Sequence, residues 1–272
     1  MAINLHLDRA AALGEEFVDR SAPNERPTRR QMMATAASVA VAATAGLGLL
    51  SFRRHGTGPA LPAIATSKGG TREVALREGS HVTLNTLTRL RPTMTASVRR
   101  IDLDEGEALF DVAPDPNRPF IVYAGDLSVR AVGTSFTVRR TGPEAIRVVV
   151  TEGVVEVGRG EEVLGRVHAG IAFAVNADSS PVITMLNPAQ VESALAWRSG
   201  RLDLQGMTLG EAAEEFSRYS DIKIRVDDTS IADRHITGIY ATNDPEGFAR
   251  NAALSLGLKT VRQGNQVIIS KD

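Results

Sequence analysis

Residues Leu127–Arg140 read LSVRAVGTSFTVRR. Leu127, Val129 and Ala131 fall on one face at a period of two, the side-chain repeat of a β-strand. Beyond Gly133, residues Thr134, Phe136 and Val138 continue the phase of Val132, so the apolar face changes sides across Ala131–Gly133. A strand changes face at a bulge or a sharp bend, and glycine suits a bend where a side chain would clash. The stretch therefore predicts fold architecture rather than a ligand site.

The same alternation extends in both directions. REVAL, HVTLNTLTRLR, RIDLDEGEALFDV and FIVYAG precede it; AIRVVVTEGVVEVG, VLGRVHAG and IAFAV follow. Turn residues separate the runs, as at Pro114–Asn117 and Gly158–Gly160. No stretch in between shows convincing helical periodicity. The reading is an all-β domain over 66–180, an antiparallel sandwich or jelly roll, with a β-solenoid as the alternative.

The pattern then changes. NPAQVESALAW (Asn187–Trp197) predicts a connecting helix, with Asn187 as cap and Pro188 first. Over 198–272 the order is strand, helix, strand, and then the same again. GRLDLQG, TLGEAAEEFSRYS and IKIRV form the first set; HITGIYA, DPEGFARNAALSLG and LKTVRQ form the second, and QVIIS closes a hairpin at Gly264-Asn265. Thr208 and Glu211 make a capping box, and Asp244 caps the second helix before Pro245. Two βαβ units predict a small α+β domain with its helices packed on a small sheet.

Ahead of the strands, residues 32–52 form an apolar run with no charge, between the pairs Arg29/Arg30 and Arg53/Arg54. As a helix it spans roughly 32 Å, against about 30 Å of bilayer core. Alanine, glycine, serine and threonine outnumber the strongly apolar residues, so insertion is marginal. A cleaved export signal is the competing reading, with PAIAT (Pro62–Thr66) as a cleavage site and TRRQMM as a loose twin-arginine start. The run is longer than a usual signal core and is closed by a basic pair like a stop-transfer signal, so an anchor is preferred. The arginine pair before the run favours a cytoplasmic amino end. Residues 1–31 are a short polar head in which Leu5, Ala12, Leu13 and Phe17 make a rough helical stripe.

Little points to catalysis. The net charge of −1 gives no broad basic surface for nucleic acid. There is no cysteine, and the five histidines lack metal-ligand spacing. Ser135 in GTSF is not a nucleophile elbow. Asp102, Asp104, Glu105, Glu107 and Asp111 read as a solvated strand face rather than an acid–base pair. No enzyme, cofactor or metal is expected.

FIVYAGDLSVRAVGTSFTVRR (Phe120–Arg140) and VVVTEGVVEV (Val148–Val157) resemble the core of the FecR family of membrane regulators. WRSGRLDLQGMTLGEAAEEFSRYSDIKIRV (Trp197–Val226) and ITGIYATNDPEGFARNAALSLGL (Ile236–Leu258) are similar to that family's carboxyl end, a small domain of the kind found at the amino ends of secretins and TonB-dependent receptors. The resemblance implies a single-span inner-membrane anti-sigma factor with a cytoplasmic amino terminus and periplasmic folded domains. Its partners would be an extracytoplasmic-function sigma factor and a TonB-dependent outer-membrane receptor, often for iron–siderophore uptake. Val129, Gly133, Thr134, Phe136, Glu152 and Gly153 match the core motif and are assigned to folding. Trp197, Gly200, Leu202, Leu209, Phe216, Tyr219, Gly238 and Phe248 match the carboxyl-terminal motif, with the apolar members expected in the core.

A receptor domain would dock by adding a strand to an exposed edge, for which Ile236, Ile239 and Tyr240 or Val267 and Ile269 are candidates. The sigma factor would meet Leu5, Leu13 and Phe17 as helix anchors in a groove. The head departs from the family in being short and without tryptophan. The alternative is thus a periplasmic receptor-binding module without direct sigma-factor control.

Overall fold

The computed structural model describes residues 62–142, 145–176 and 180–271. The head and expected span, and with them Leu5, Leu13 and Phe17, lie outside the described residues. Among the described residues no helix is long and apolar enough to cross a membrane.

The first part is almost entirely strand: β1 (Ile64–Ala65), β2 (Arg72–Ala75), β3 (His81–Leu84), β4 (Arg89–Met94), β5 (Arg99–Asp111), β6 (Phe120–Ala124) and β7 (Leu127–Ala131). Then come β8 (Ser135–Arg140), β9 (Ile146–Glu152), β10 (Val154–Arg159), β11 (Glu162–His168), β12 (Ile171–Val175) and β13 (Val182–Met185). They join into one curled sheet of 13 strands. All pairings are antiparallel except that of β5 with β6.

β5 is the hub. Its first half pairs with β4 and β6, while Gly106–Asp111 pairs with β8, and Ala108–Asp111 with β3 on the other side. The sheet curls over a core fed from both halves, with Leu90, Ile101, Val122, Val129 and Val155 meeting Leu84, Phe110, Phe136, Val148 and Phe173. The Phe110 and Phe136 rings stack 5.4 Å apart within it. The expectation of an all-β region holds in this curled form.

Several passages of the chain between the two halves fall at glycines. Gly106 makes one inside β5, with φ of 91°; a Cβ there would lie 2.4 Å from Thr88 Oγ1 and 2.5 Å from Thr88 Cα. Gly133 makes another between β7 and β8, at φ of 70°, where a Cβ would lie 3.0 Å from Pro114 Cγ. Both need the left-handed backbone and the missing side chain. The change of face read at Ala131–Gly133 is this passage from one half of the sheet to the other. Gly153 and Gly170 stand at the next two crossings, β9 to β10 and β11 to β12.

The carboxyl-terminal part begins with α1 (Pro188–Leu195) and a 3-10 turn at Ala196–Ser199. β14 (Arg201–Asp203), α2 (Leu209–Tyr219), β15 (Lys223–Val226), the short α3 (Thr229–Ala232), β16 (Ile239–Ala241), α4 (Pro245–Leu256), β17 (Lys259–Gln263) and β18 (Gln266–Ser270) follow. The caps fall where the sequence placed them: Asn187 with Gln190, Thr208 with Glu211, and Asp244.

The strand–helix–strand order occurs twice, but the strands of each unit go to different sheets. β14 pairs with β16, and β15 lies parallel to β18, which also takes β17. α2 and α4 bury their apolar stripes in a second core, where the Phe216 and Phe248 rings stack 4.6 Å apart and Tyr240 meets Phe248 edge-on.

Candidate functional site

Alternation along β5 and β8 sends Ala108, Phe110, Phe136 and Val138 into the first core. Glu107, Leu109, Thr137 and Arg139 therefore point out of the curled sheet. Glu107 stands opposite Arg139 in register, and Leu109 opposite Thr137. On a free sheet this face would be wet. Here Glu107, Leu109 and Thr137 are buried, and Leu109 belongs to the carboxyl-terminal core.

The covering element is α2. Its buried stripe of Leu209, Ala212, Phe216 and Tyr219 also contains Glu215. Arg139 grips Glu215 with two guanidinium nitrogens, one of them 3.2 Å from Oε1. Arg218 Nη1 donates to Glu215 Oε1 at 2.6 Å, and its other terminal nitrogen lies 3.7 Å from Glu107 Oε2. Asn85, just after β3, donates to both Glu107 Oε2 (2.9 Å) and the Tyr219 hydroxyl (2.8 Å). Thr86 Oγ1 donates to the Arg218 carbonyl at 2.9 Å, and Lys68 pairs with Asp221 at the rim, 2.7 Å away.

Two carboxylates face two guanidinium groups, so the cluster carries no surplus charge to attract an ion. Burial pushes the Glu215 carboxyl up, but Arg139 and Arg218 overcome this and hold it below the usual range. Burial drives the Tyr219 hydroxyl well above its ordinary value; Arg218 opposes that, and Glu107 and Glu215 add to it. Burial works against the Arg139 charge, and Glu215 and Glu107 more than restore it. The arrangement can lock a helix onto a sheet through charge, and it holds no nucleophile poised by a base.

A cleft of about 360 Å³ opens beside the cluster, between Arg139, Arg147, Asn187, Trp197 and Met207. A second, of about 750 Å³, is lined by Leu195, Arg201, Asp203 and Ile239.

Of the residues assigned to folding, the apolar ones sit in the interior, whereas Glu152, Gly153 and Gly200 are exposed. Phe136 and Phe248 are fully buried in the two cores, and Trp197 and Tyr219 are buried in the second. Gly133 and Gly153 stand at crossings of the sheet. Tyr219 does more than fill space, since its hydroxyl binds Asn85 of the β region.

The docking candidates separate. Val267 and Ile269 are buried on β18, which is the central strand of its sheet and has its backbone paired on both sides. It cannot accept another strand, so that candidate is corrected: parallel pairing with β15, across more than 40 residues of chain, fills the edge. Ile236 is buried, and Tyr240 is half-buried against Phe248. Ile239 is 61 % exposed on β16, which among the described residues pairs with β14 alone.

Of the acidic residues along β5, Asp102, Asp104 and Glu105 do pair with Arg100, Arg91 and Arg89 toward solvent. Glu107 is a correction, because it is buried beneath α2. Asn85, Arg139, Glu215 and Arg218 were not singled out in the sequence. Glu215 left a signal: it falls three residues after Ala212 and four before Tyr219, inside the apolar stripe.

Residues 63–156 match the family model described as FecR protein. That stretch is similar to a FecR domain. The matched stretch runs from β1 into β10 and contains Asn85, Glu107, Arg139 and the crossings at Gly106, Gly133 and Gly153. Two crystal structures of a candidate anti-sigma factor from Parabacteroides distasonis ATCC 8503 are similar to the chain, each at 25 % identity and over 78 % of it. The TM-scores are 0.68 and 0.67, and 100 % and 99 % of those chains are covered. The likeness thus reaches past the matched stretch into the part that carries Glu215 and Arg218. No curated protein matches the chain.

Proposed function

We propose that the protein is an anti-sigma-type regulator that carries a signal across the bacterial inner membrane. The observation that carries this reading is the similarity to a FecR domain together with a structural likeness, extending beyond the matched stretch, to a candidate anti-sigma factor. Both point to a sigma-regulator role, and proteins of this family act by binding rather than by turnover. The finer assignments go further. The amino-terminal head, through Leu5, Leu13 and Phe17, holds an extracytoplasmic-function sigma factor; residues 32–52 anchor the chain; the strands and the α+β part lie in the periplasm. There a TonB-dependent outer-membrane receptor, serving iron–siderophore or other nutrient uptake, adds a strand at β16. The open edge at Ile239 beside its groove supports that choice over β18.

The test is a pull-down from membranes of the native cell, comparing full-length protein with a variant lacking Met1–Gln31. A sigma factor is expected with the intact head and absent without it. If a receptor co-purifies and no sigma factor does, anti-sigma activity is lost from the reading and a receptor-binding module remains.

A further inference from the structure

The open sheet edges of this molecule are not treated alike. An edge strand offers unpaired N–H and C=O groups, and proteins blunt it with charge, proline, a bulge or shortness. β11 closes one end of the large sheet with Glu162, Arg166 and His168, and its pairing shifts register at Val157/Gly158. β15 carries Lys223 and Arg225; β17 carries Lys259 and Arg262. β14 has three residues.

Among the described residues β13 closes the other end of the large sheet; Pro181 stands just before it, but its own four residues hold no charge, proline or bulge. Val182, Ile183, Thr184 and Met185 are uncharged and all exposed, Val182 and Ile183 at 59 % and Met185 at 85 %. No charged residue occurs from Ser180 to Val191.

The pairing with β12 fixes which groups are free. The Leu186 N–H donates to the Gly170 carbonyl at 2.8 Å, and Met185 faces Ile171 in register. Backbone groups alternate sides along an antiparallel strand, so Thr184 and Val182 also point at β12. The N–H and C=O groups of Ile183 and Met185 therefore point outward.

We propose that β13 is the seat of a twofold contact between two copies of this chain. Antiparallel pairing centred on Thr184 sets Ile183 against Met185 of the partner subunit, and Met185 against Ile183 of the partner subunit. Each pair exchanges main-chain hydrogen bonds in both directions through the groups that point outward. The two Thr184 side chains meet at the axis, and on their face Val182 meets Leu186 of the partner subunit. Every cross-strand pair is then apolar or Thr–Thr, the kinds that stabilise a ladder, and no like charges oppose. A twofold contact asks only for a patch complementary to itself, and VITML matches its own reverse at each position.

The protein has no cysteine, so Thr184→Cys introduces a single thiol. Opposed residues of a non-hydrogen-bonded pair lie about 4.5 Å apart at Cα, within disulfide reach. Full-length Thr184→Cys protein, oxidised in native membranes, is expected to form a disulfide-linked dimer. Val163→Cys, on β11 and 60 % exposed, is expected to form little. Adding Ile183→Lys or Met185→Lys to Thr184→Cys opposes the apolar pairs and is expected to cut the dimer roughly tenfold. Both positions are exposed, and an unchanged thermal midpoint will show that the fold survives. Equal cross-linking at 184 and 163, no cross-link at 184, or a cross-link formed only to a different protein would each overturn the twofold contact.

Discussion

At Glu215 one carboxylate answers two guanidinium groups, so removing the acid and removing one arginine are unequal losses. Glu215→Ala leaves Arg139 and Arg218 under a packed helix with only Glu107 nearby, 3.7 Å from Arg218. Stranding buried charge in this way is expected to cost about 3 kcal/mol, the low end for broken buried pairs because the arginines keep partial contact with water. Arg139→Ala leaves Glu215 bound to Arg218 and is expected to cost only about 1 kcal/mol. Denaturant titration of the two variants checks the order; a larger loss for Arg139→Ala would mean that Glu215 is not the centre of the cluster. Of this site only Tyr219 was named from the sequence, as a core residue, and Glu107 was misread, although Glu215 had left a mark. Glu215 breaks an apolar helical stripe, which marks a buried charge. Glu107 gave no such mark, because a polar residue on the outer phase of a strand looks the same whether water or a helix covers it.

At the scale of elements, the crossings decide whether the sheet can curl. Gly106→Ala would place a Cβ within 2.6 Å of the Leu87 carbonyl oxygen as well as against Thr88, at a φ of 91°. Backbone atoms cannot rotate away, so the variant is expected to lose at least about 3 kcal/mol or to fail to fold. Gly160→Ala, with φ of 60° and open space around it, is expected to cost about 1 kcal/mol. Thermal unfolding of the pair separates collision from backbone preference. Strands, helices and caps were legible because each is written in local spacing: period two, three-and-four stripes, and a capping side chain three residues ahead of its partner. The face change at Ala131–Gly133 was legible for the same reason. Which strand is central was not. The edge of β18 is filled by β15, and nothing in Gln266–Ser270 records a partner so far away in the chain.

At the scale of the whole molecule, the polar cluster ties the stability of the described residues to pH from both sides. Glu215 has a folded pKa below its unfolded one. Its contribution is complete above the ordinary carboxylate range, about 4.3, and is lost as pH falls through the folded value. Tyr219 has a folded pKa above its unfolded one. Its contribution is complete below about 10 and is lost as pH rises beyond that. The thermal midpoint is expected to be level between these limits and to fall outside them. Glu215→Gln should flatten the acid limb and Tyr219→Phe the alkaline limb, each lowering the plateau. Limbs that persist unchanged in both variants would place the titrating groups elsewhere.

β5 adds a mechanical consequence. It is hydrogen-bonded to β3, β4, β6 and β8, and its Leu109 lies in the carboxyl-terminal core. A tug on the carboxyl-terminal part reaches the sheet at this best-connected strand and not at an edge that could peel. The load is shared at once among four neighbours in shear, so the two cores would bear tension, and yield, together.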